Sequence, residues 1–209
     1  MQDDVKKIGI FGGTFNPVHS GHLIVAEAVR EDLELDRVLF IPSGTPPHKS
    51  KNEVADANHR YNMVKCAVGS NPYFEASHME IDRAGYTYSI DTLTSLKALY
   101  PKDTDFYFII GADVVPELVT WKDYDRVFKM CSFIAVLRPG NDRKAFKNHV
   151  DELTGINKAN IITAEAPMVD ISSTDIRERV KSGRTIKYLV PGCVEKYILD
   201  NELYRTLYL

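Results

Sequence analysis

The stretch "GGTFNPVHSGH", residues 12–22, places two histidines three positions apart, shortly after a pair of glycines. Glycine lets the backbone approach a ligand closely and adopt positive φ. His19 and His22 stand at i and i+3, so both imidazoles point from one face of a first helical turn. Pro17 fixes the chain before them, and Gly21 lacks a side chain where the helix begins. The N–H groups and dipole of such a helix start favour an anion, so the stretch predicts a phosphate-binding turn.

Other interpretations of this stretch are weaker. An ordinary strand-to-helix turn often carries one surface histidine, but seldom two beside three glycines. A metal-binding pair is disfavoured because HxxH lacks the i+4 spacing of HExxH, and no carboxylate or cysteine is close in sequence. A dinucleotide fingerprint or a P-loop is disfavoured because "GIFGGTF" matches neither GxGxxG nor GxxxxGK[ST].

A second motif, "DISSTDIRERVKSG", occupies residues 170–183 and opens a helix. Ser172 and Asp175 form an S-x-x-D pattern, which alone indicates a capping box. Arg177 is harder to explain by capping, because a cation near a helix N-terminus opposes the macrodipole. A guanidinium at this position is better explained if it faces an anion in bidentate geometry.

Strand and helix patterns alternate along the chain. Strands are predicted at 5–11, 37–41, 73–77, 79–82, 105–110, 133–137 and 160–163, and helices at 23–35, 61–68, 89–99 and in the C-terminal third. This alternation predicts an α/β fold of three layers with a parallel sheet, which binds ligands beyond the carboxyl ends of its strands. No repeat or linker divides the chain. We therefore expect one domain over residues 1–209, with a helical C-terminal part from about residue 171 packed on it.

Composition narrows the functional class. The chain has 209 residues, a net charge of −3 and no apolar run of membrane length, so we expect neither nucleic acid nor membrane as a partner. The N-terminus runs into a strand without a signal-peptide core, which favours a cytoplasmic location. Cys66, Cys131 and Cys193 are scattered and form no CxxC. We expect reduced, mostly buried thiols rather than a disulfide or zinc site.

Both motifs resemble signatures of the nucleotidylyltransferase superfamily. "HSGH" resembles its (T/H)xGH signature, and "ISSTDIR" resembles its second signature, ISSTxxR, in the expected order and about 150 residues later. The resemblance implies a Rossmann-like, doubly wound parallel sheet. It also implies catalytic roles for His19, His22 and Arg177: the histidines would bind nucleotide phosphates, and the serine, threonine and arginine would hold the β- and γ-phosphates of ATP.

Further segments resemble the bacterial nicotinate-nucleotide adenylyltransferases and extend the likeness over nearly the whole chain. These are "PPHKS" at 46–50, "AGYTYSIDTL" at 84–93, "FIIGAD" at 108–113, "TWKDYDRV" at 120–127, "LRPG" at 137–140 and "LVPGCVEKYILDNELY" at 189–204. Phosphopantetheine adenylyltransferases share the first motif but are shorter and lack the tryptophan segment.

The resemblance implies two sets of binding residues. The ATP site would comprise Gly12, Gly13, Phe15, His19, His22, Lys49, Gly111, Asp113, Arg138, Ser173, Thr174 and Arg177. The mononucleotide site would comprise Thr14, Asn16, Thr87, Tyr88, Trp121 and Lys122. Trp121 would stack on the pyridine ring, and the N–H groups of Thr87 and Tyr88 would bind its carboxylate. Thr14 and Asn16 would line the mononucleotide phosphate. Asn16 stands where many relatives have Asp, which weakens any role for a carboxylate base there.

The implied reaction is ATP plus nicotinate mononucleotide giving deamido-NAD and pyrophosphate, a step of NAD biosynthesis. A phosphate monoester is already a nucleophile, so catalysis reduces to positioning and charge stabilisation. Mg²⁺ would be bound through the ATP phosphates, with no metal held by the protein. Two alternatives stay open: another acceptor, such as nicotinamide mononucleotide or a different phosphomonoester, and a nucleotide sensor without turnover. A homo-oligomer is also left open.

Overall fold

A parallel β-sheet forms the centre of the computed structural model, which describes residues 5–45, 54–137, 143–167 and 169–205. Its six strands are β1 (Lys7–Gly13), β2 (Arg37–Pro42), β3 (Phe74–Ala76), β4 (Asp105–Gly111), β5 (Ser132–Leu137) and β6 (Ile161–Glu165). Their order is β3-β2-β1-β4-β5-β6, and every neighbouring pair is parallel. The predicted doubly wound α/β fold is confirmed.

Helices cover both faces of the sheet. They are α1 (Ser20–Asp32), α2 (Ala57–Val68), α3 (Ser89–Leu99), α4 (Tyr124–Met130), α5 (Arg143–Asn157), α6 (Ser173–Lys181) and α7 (Gly192–Asp200), with a 3-10 helix at Ala112–Thr120. One core cluster joins the sheet to α1, α2, α6 and α7, and a second joins it to α3, the 3-10 helix, α4 and α5. Burial on both faces explains why the central strands are continuous apolar runs.

The strand order reverses between β1 and β4. The chain first builds outward from β1 through β2 to β3, and it then returns to the other side of β1 to add β4, β5 and β6. The loops after β1 and β4 therefore diverge over opposite faces and leave a crevice at the carboxyl edge of the sheet. Ligands of open α/β sheets bind at such a position.

Local hydrogen bonds account for the main differences from the predicted elements. Residues 79–82 form a turn, not the predicted strand, because the N–H groups of Ile81 and Asp82 both donate to the His78 carbonyl at 2.9 and 3.1 Å. Helix α1 begins at Ser20, three residues earlier than predicted, because His19 is its N-cap. Helices α4 and α5 and the 3-10 helix were not predicted.

The cysteines differ partly from expectation. Cys131 is buried and Cys66 half-buried, but Cys193 is exposed, so the prediction of buried thiols is wrong for Cys193. The Cys66 thiol on α2 donates to the Met63 carbonyl at 3.3 Å. Burial and the neighbouring Cys193 on α7, 127 residues away in sequence, raise the pKa of Cys66 to about 12.

No helix in the part of the chain that the structure describes is long and apolar enough to cross a membrane.

Candidate active site

The two histidines of the first motif are held together at the start of α1. His19 is the N-cap, and its backbone N–H donates to Nδ1 of His22 at 3.1 Å. The two rings stack, with centroids 3.6 Å apart and planes inclined by 26°. Because Nδ1 of His22 accepts this bond, the proton of the neutral ring lies on Nε2. His22 therefore presents an N–H donor on the side of the ring away from the cap.

The phenylalanines around this motif pack against His22 and orient its ring. Phe11 and Phe15 both pack edge-on against the His22 ring, with centroid distances of 5.9 and 5.2 Å. Phe15 is only 3% exposed and lies in the core with Phe40. The ring of Phe15 is committed to packing, so the predicted contact of Phe15 with ATP, which stays a prediction, would be made by its backbone.

Helix α6 carries the second motif and begins with the predicted cap. The Ser172 hydroxyl accepts the N–H of Asp175 at 3.1 Å, which confirms the N-cap half of the predicted capping box. The Asp175 carboxylate also pairs with Arg179 one turn later, at 2.7 Å. Neither of these two contacts involves Arg177.

The second motif contacts the loop of the first motif directly. Arg177 Nη1 donates to the Asn16 carbonyl at 2.9 Å, and Ser173 Oγ donates to the Pro17 carbonyl at 2.8 Å. Arg177 Nη2 also contacts Thr174 Oγ1 at 3.3 Å. The predicted bidentate fork for phosphate is therefore partly engaged, since two of its five N–H groups serve these bonds. These contacts hold the loop of the first motif against the N-terminal turns of α6.

A cavity of about 610 Å³ opens beside these motifs. The carboxyl ends of β1, β4 and β5 contribute Phe11, Gly111 and Val136 to it. It brings together four predicted site residues: His19, His22, Gly111 and Ser173. Further lining residues were not predicted as site residues: Val25, Ile109, Ile110, Val169, Asp170 and Ile171. Four of them lie within the quoted segments 108–113 and 170–183, and that position was the available signal.

A second cavity, of about 480 Å³, lies between the start of α3 and the end of the 3-10 helix. It brings together four predicted residues of the mononucleotide site: Thr87, Tyr88, Trp121 and Lys122; Ser89, Glu117 and Thr120 complete the lining. Trp121 is half-buried and packs edge-on against Phe108 at 5.5 Å. Lys122 Nζ lies 4.5 Å over the Tyr88 ring. The cavity thus offers an aromatic wall with a cation beside it.

The start of α3 corrects the prediction for Thr87. Its N–H donates to the Thr45 carbonyl at 3.3 Å, and the residue is only 8% exposed. The Thr87 amide is therefore occupied, and the helix start offers its amides from Tyr88 onward. Glu80 is half-buried next to this turn, where its carboxylate accepts a hydrogen bond from Thr92 Oγ1 at 2.6 Å. Burial raises the pKa of Glu80, although hydrogen bonds from Thr92 and Thr87 act in the opposite sense.

Asn16 ties its loop to two other segments. It is 4% exposed, and its Oδ1 accepts both the Ala55 N–H at 3.1 Å and the Tyr204 hydroxyl at 2.9 Å. Burial raises the pKa of Tyr204, which keeps its hydroxyl protonated as a donor. The role of Asn16 at the mononucleotide phosphate stays a prediction.

The other predicted residues fall into four groups. Gly12 and Gly13 end β1, where an added Cβ would lie 3.3 Å from the ring of Phe108 or Phe15, a tight contact that favours a small residue. Thr14 turns its carbonyl to Arg60 at 2.7 Å. Asp113 and Thr174 are exposed at the starts of the 3-10 helix and α6. Lys49 and Arg138 lie outside the described residues.

Comparisons with known proteins agree with this architecture. The family model described as cytidylyltransferase-like matches residues 10–179. Two proteins named "Probable nicotinate-nucleotide adenylyltransferase" are similar over nearly their full length. The one from Thermoanaerobacter sp. strain X514 is 49% identical over 95% of this chain and 94% of its own. The one from Moorella thermoacetica is 47% identical over 95% and 92%.

A solved structure shares the fold at low identity. The Plasmodium falciparum nicotinic acid mononucleotide adenylyltransferase, solved in complex with NaAD, has a TM-score of 0.77 and 19% identity, covering 95% of this chain and 97% of its own. The family model spans most of the chain, and the sequence relatives exceed 40% identity over almost all of it. The chain belongs to the cytidylyltransferase-like family and, within it, to the nicotinate-nucleotide adenylyltransferases.

Proposed function

We propose that this chain transfers the adenylyl group of ATP to nicotinate mononucleotide, giving deamido-NAD and pyrophosphate, as a cytoplasmic step of NAD biosynthesis. Residues 1–209 act as one nucleotidylyltransferase domain. The observation that carries the proposal is the pairing of two cavities. Gly111 at the end of β4 lines the cavity of the motif histidines, and the 3-10 helix that follows leads directly to the cavity of Trp121.

The reaction needs no catalytic base. An oxygen of the mononucleotide 5′-phosphate attacks the α-phosphorus of ATP in line, and a new P–O bond forms. The bond from the α-phosphorus to the bridging oxygen breaks, and its electron pair leaves with pyrophosphate. Because the nucleophile is already an anion, the chain has to align the two phosphates and stabilise the charge that develops between them.

His22 is the principal charge-stabilising donor. The cap bond from His19 fixes its tautomer, so Nε2–H is the group that reaches a phosphate oxygen. The stacked His19 ring holds the imidazole plane, and the N-terminus of α1 adds its dipole to the same anion. A pre-oriented donor of this kind costs no reorganisation when charge develops.

The second motif acts on the phosphates and on the loop together. Free carbonyl oxygens would repel phosphate oxygens. Here Ser173 and Arg177 donate hydrogen bonds to the carbonyls of Pro17 and Asn16, which reduces that repulsion. The remaining N–H groups of Arg177 are donors for the leaving pyrophosphate, with Thr174 beside them. One guanidinium therefore shapes the loop and neutralises part of the triphosphate charge.

Magnesium enters as part of the substrate, MgATP. The described part of the chain contains no group of three or more His, Cys, Asp or Glu side chains that could hold a metal ion. Mg²⁺ keeps several of its waters and binds readily through substrate phosphates, so it needs no set of protein ligands. Bound to ATP, it neutralises charge on the leaving pyrophosphate.

The second cavity recognises the pyridine base. Trp121 stacks on the ring, and the first amides of α3, from Tyr88 onward, donate to the carboxylate at the positive end of the helix dipole. Lys122 lies beside Tyr88 and adds a positive charge near the same group. An acceptor-only carboxylate matches this donor set better than a carboxamide does.

An acceptor panel tests the proposal. The purified chain is incubated with MgATP and one of three acceptors: nicotinate mononucleotide, nicotinamide mononucleotide or phosphopantetheine. A reaction with MgATP alone is the control. Both pyrophosphate and the adenylylated product are measured. We expect equal amounts of both, with nicotinate mononucleotide as the preferred acceptor. Nucleotide binding without pyrophosphate release would instead establish a sensor. If only phosphopantetheine supports turnover, the acceptor is phosphopantetheine and not nicotinate mononucleotide.

A further inference from the structure

Arg60 on α2 is a buried cation that neither motif contains. It is 1% exposed, and it donates to three carbonyls: from Nη1 to Thr14 at 2.7 Å, from Nη2 to Gly44 at 3.0 Å and from Nε to Ala55 at 2.9 Å. Across residues 5–45, 54–137, 143–167 and 169–205, no carboxylate lies within salt-bridge distance of it. Burial lowers the pKa of this guanidinium. Burying a charge is costly, and the attraction of the Asp56 and Glu80 carboxylates, which lie beyond salt-bridge distance, acts on this pKa in the opposite sense to burial.

The three carbonyls belong to separate segments that meet at the carboxyl edge of the sheet. Thr14 is in the loop after β1, Gly44 follows β2, and Ala55 precedes α2. One guanidinium therefore fixes the relative positions of three loops around the first motif. Only an arginine has enough N–H groups in a planar fork to do this, because a lysine ammonium is a point charge on a flexible stem.

Its contact with Thr14 also determines where a neighbouring N–H points. In a trans peptide the C=O and N–H groups point in opposite directions. Since the Thr14 carbonyl points at Arg60, the N–H of Phe15 points away from it. Phe15 has a φ of 48°, an uncommon conformation for a side chain of this size, and its buried ring prevents the peptide from turning. The direction of this N–H is thus set from both sides.

We propose that Arg60 is a positioning residue that aims the Phe15 N–H at the 5′-phosphate of the acceptor mononucleotide. The inference rests on the proposed function. A carbonyl that accepts a bond from a cation polarises its own peptide, so the N–H on the other side becomes a stronger donor. The negative charge of the substrate phosphate, on the far side of that peptide, then offsets part of the cost of the buried guanidinium.

Selective labelling tests the proposal on the unmodified chain. The nine phenylalanines are labelled with ¹⁵N, Phe15 is assigned by a Phe15→Leu spectrum, and Trp121 fluorescence reports binding independently. We expect the Phe15 amide to shift on adding nicotinate mononucleotide and to shift far less with phosphate-free nicotinate riboside. If neither ligand quenches Trp121, the proposed function fails. If the mononucleotide binds but the Phe15 amide does not respond, the inference alone is overturned.

Variants separate positioning from a general structural role. In Arg60→Lys and Arg60→Met, the Kd of nicotinate mononucleotide should rise about tenfold or more, the loss expected for one charge-assisted hydrogen bond. The Kd of the riboside should change less than twofold. Tyr197→Phe is the control, because it removes a hydroxyl that contacts His59 and Asn62 of the same helix at 3.0 and 3.1 Å. It should leave both constants unchanged.

Equal weakening of both ligands in the Arg60 variants, or no weakening of either, overturns the proposal. Arg60→Lys keeps the charge and should fold where Arg60→Met does not. If neither folds, the spectra of the unmodified chain decide.

Discussion

Replacement of His22 by alanine removes a helix cap and a catalytic donor, and the two losses can be measured separately. The lost acceptor for the His19 N–H, at 3.1 Å, costs about 1 kcal/mol of unfolding free energy. The edge-on contacts with Phe11 and Phe15 add about 0.5–1.5 kcal/mol each. The total, about 2–4 kcal/mol, leaves a protein of ordinary stability folded at 25 °C.

The catalytic loss should be far larger than this instability explains. The lost Nε2–H donor corresponds to about 10²–10³ in kcat at saturating MgATP. Asp56→Ala is the matched control, because Asp56 caps α2 by accepting the Asn58 N–H at 2.8 Å, outside both cavities. It should lose about 1 kcal/mol and keep the kcat of the parent.

The His22→Gln variant separates the loss of the helix cap from the loss of the catalytic donor. Glutamine at the third helical position can accept the N-cap N–H, as in a capping box, so it should recover part of the stability. It does not reproduce the fixed imidazole donor, so kcat should stay low. The measurements are urea unfolding and initial rates of pyrophosphate release. A kcat within twofold of the parent for His22→Ala would refute the assignment of the donor.

Three further predictions follow from the same contacts. Arg177→Lys should lower kcat by about tenfold or more in steady-state assays, because a point charge cannot hold the Asn16 carbonyl and a phosphate together; parental rates would refute this. Trp121→Ala should raise KM for nicotinate and nicotinamide mononucleotides alike, because stacking does not distinguish the two rings, and a changed ratio of the two KM values would count against stacking. Burial raises the pKa of Glu80, so folding favours its protonated form. The parent should therefore lose stability relative to Glu80→Gln as pH rises above the ordinary pKa of Glu. Urea unfolding from about pH 4 to about pH 8 should show a growing difference in the free energy of unfolding between the two proteins, and a constant difference would contradict the prediction.

Local sequence was sufficient for the parts of the site that short-range geometry builds. The i, i+3 spacing placed His19 and His22 on one face of a helix start, and the S-x-x-D pattern gave the cap of α6. Both depend on bonds between residues within one turn. The alternation of strand and helix patterns predicted the parallel sheet, because each pattern is also set by neighbouring residues along the chain.

Contacts between distant segments could not be predicted in this way. Arg60 lies 46 residues from Thr14, and Tyr204 lies 188 residues from Asn16. No periodicity links such pairs, and an arginine in an amphipathic helix normally indicates a solvated face. The Asn16 amide oxygen, whose residue the resemblance assigned to the mononucleotide phosphate, belongs to this long-range network.

The ratio of kcat/KM for nicotinate mononucleotide to that for nicotinamide mononucleotide tests the central claim most directly. The two acceptors differ only by carboxylate against carboxamide, and the start of α3 presents donors at a positive dipole end. A carboxamide NH₂ facing one of these donors leaves it unsatisfied at about 1–3 kcal/mol and forfeits the charge-assisted bond. We predict a preference for the acid of about two decades or more. Comparable values, measured as dinucleotide formed with saturating MgATP, would contradict it.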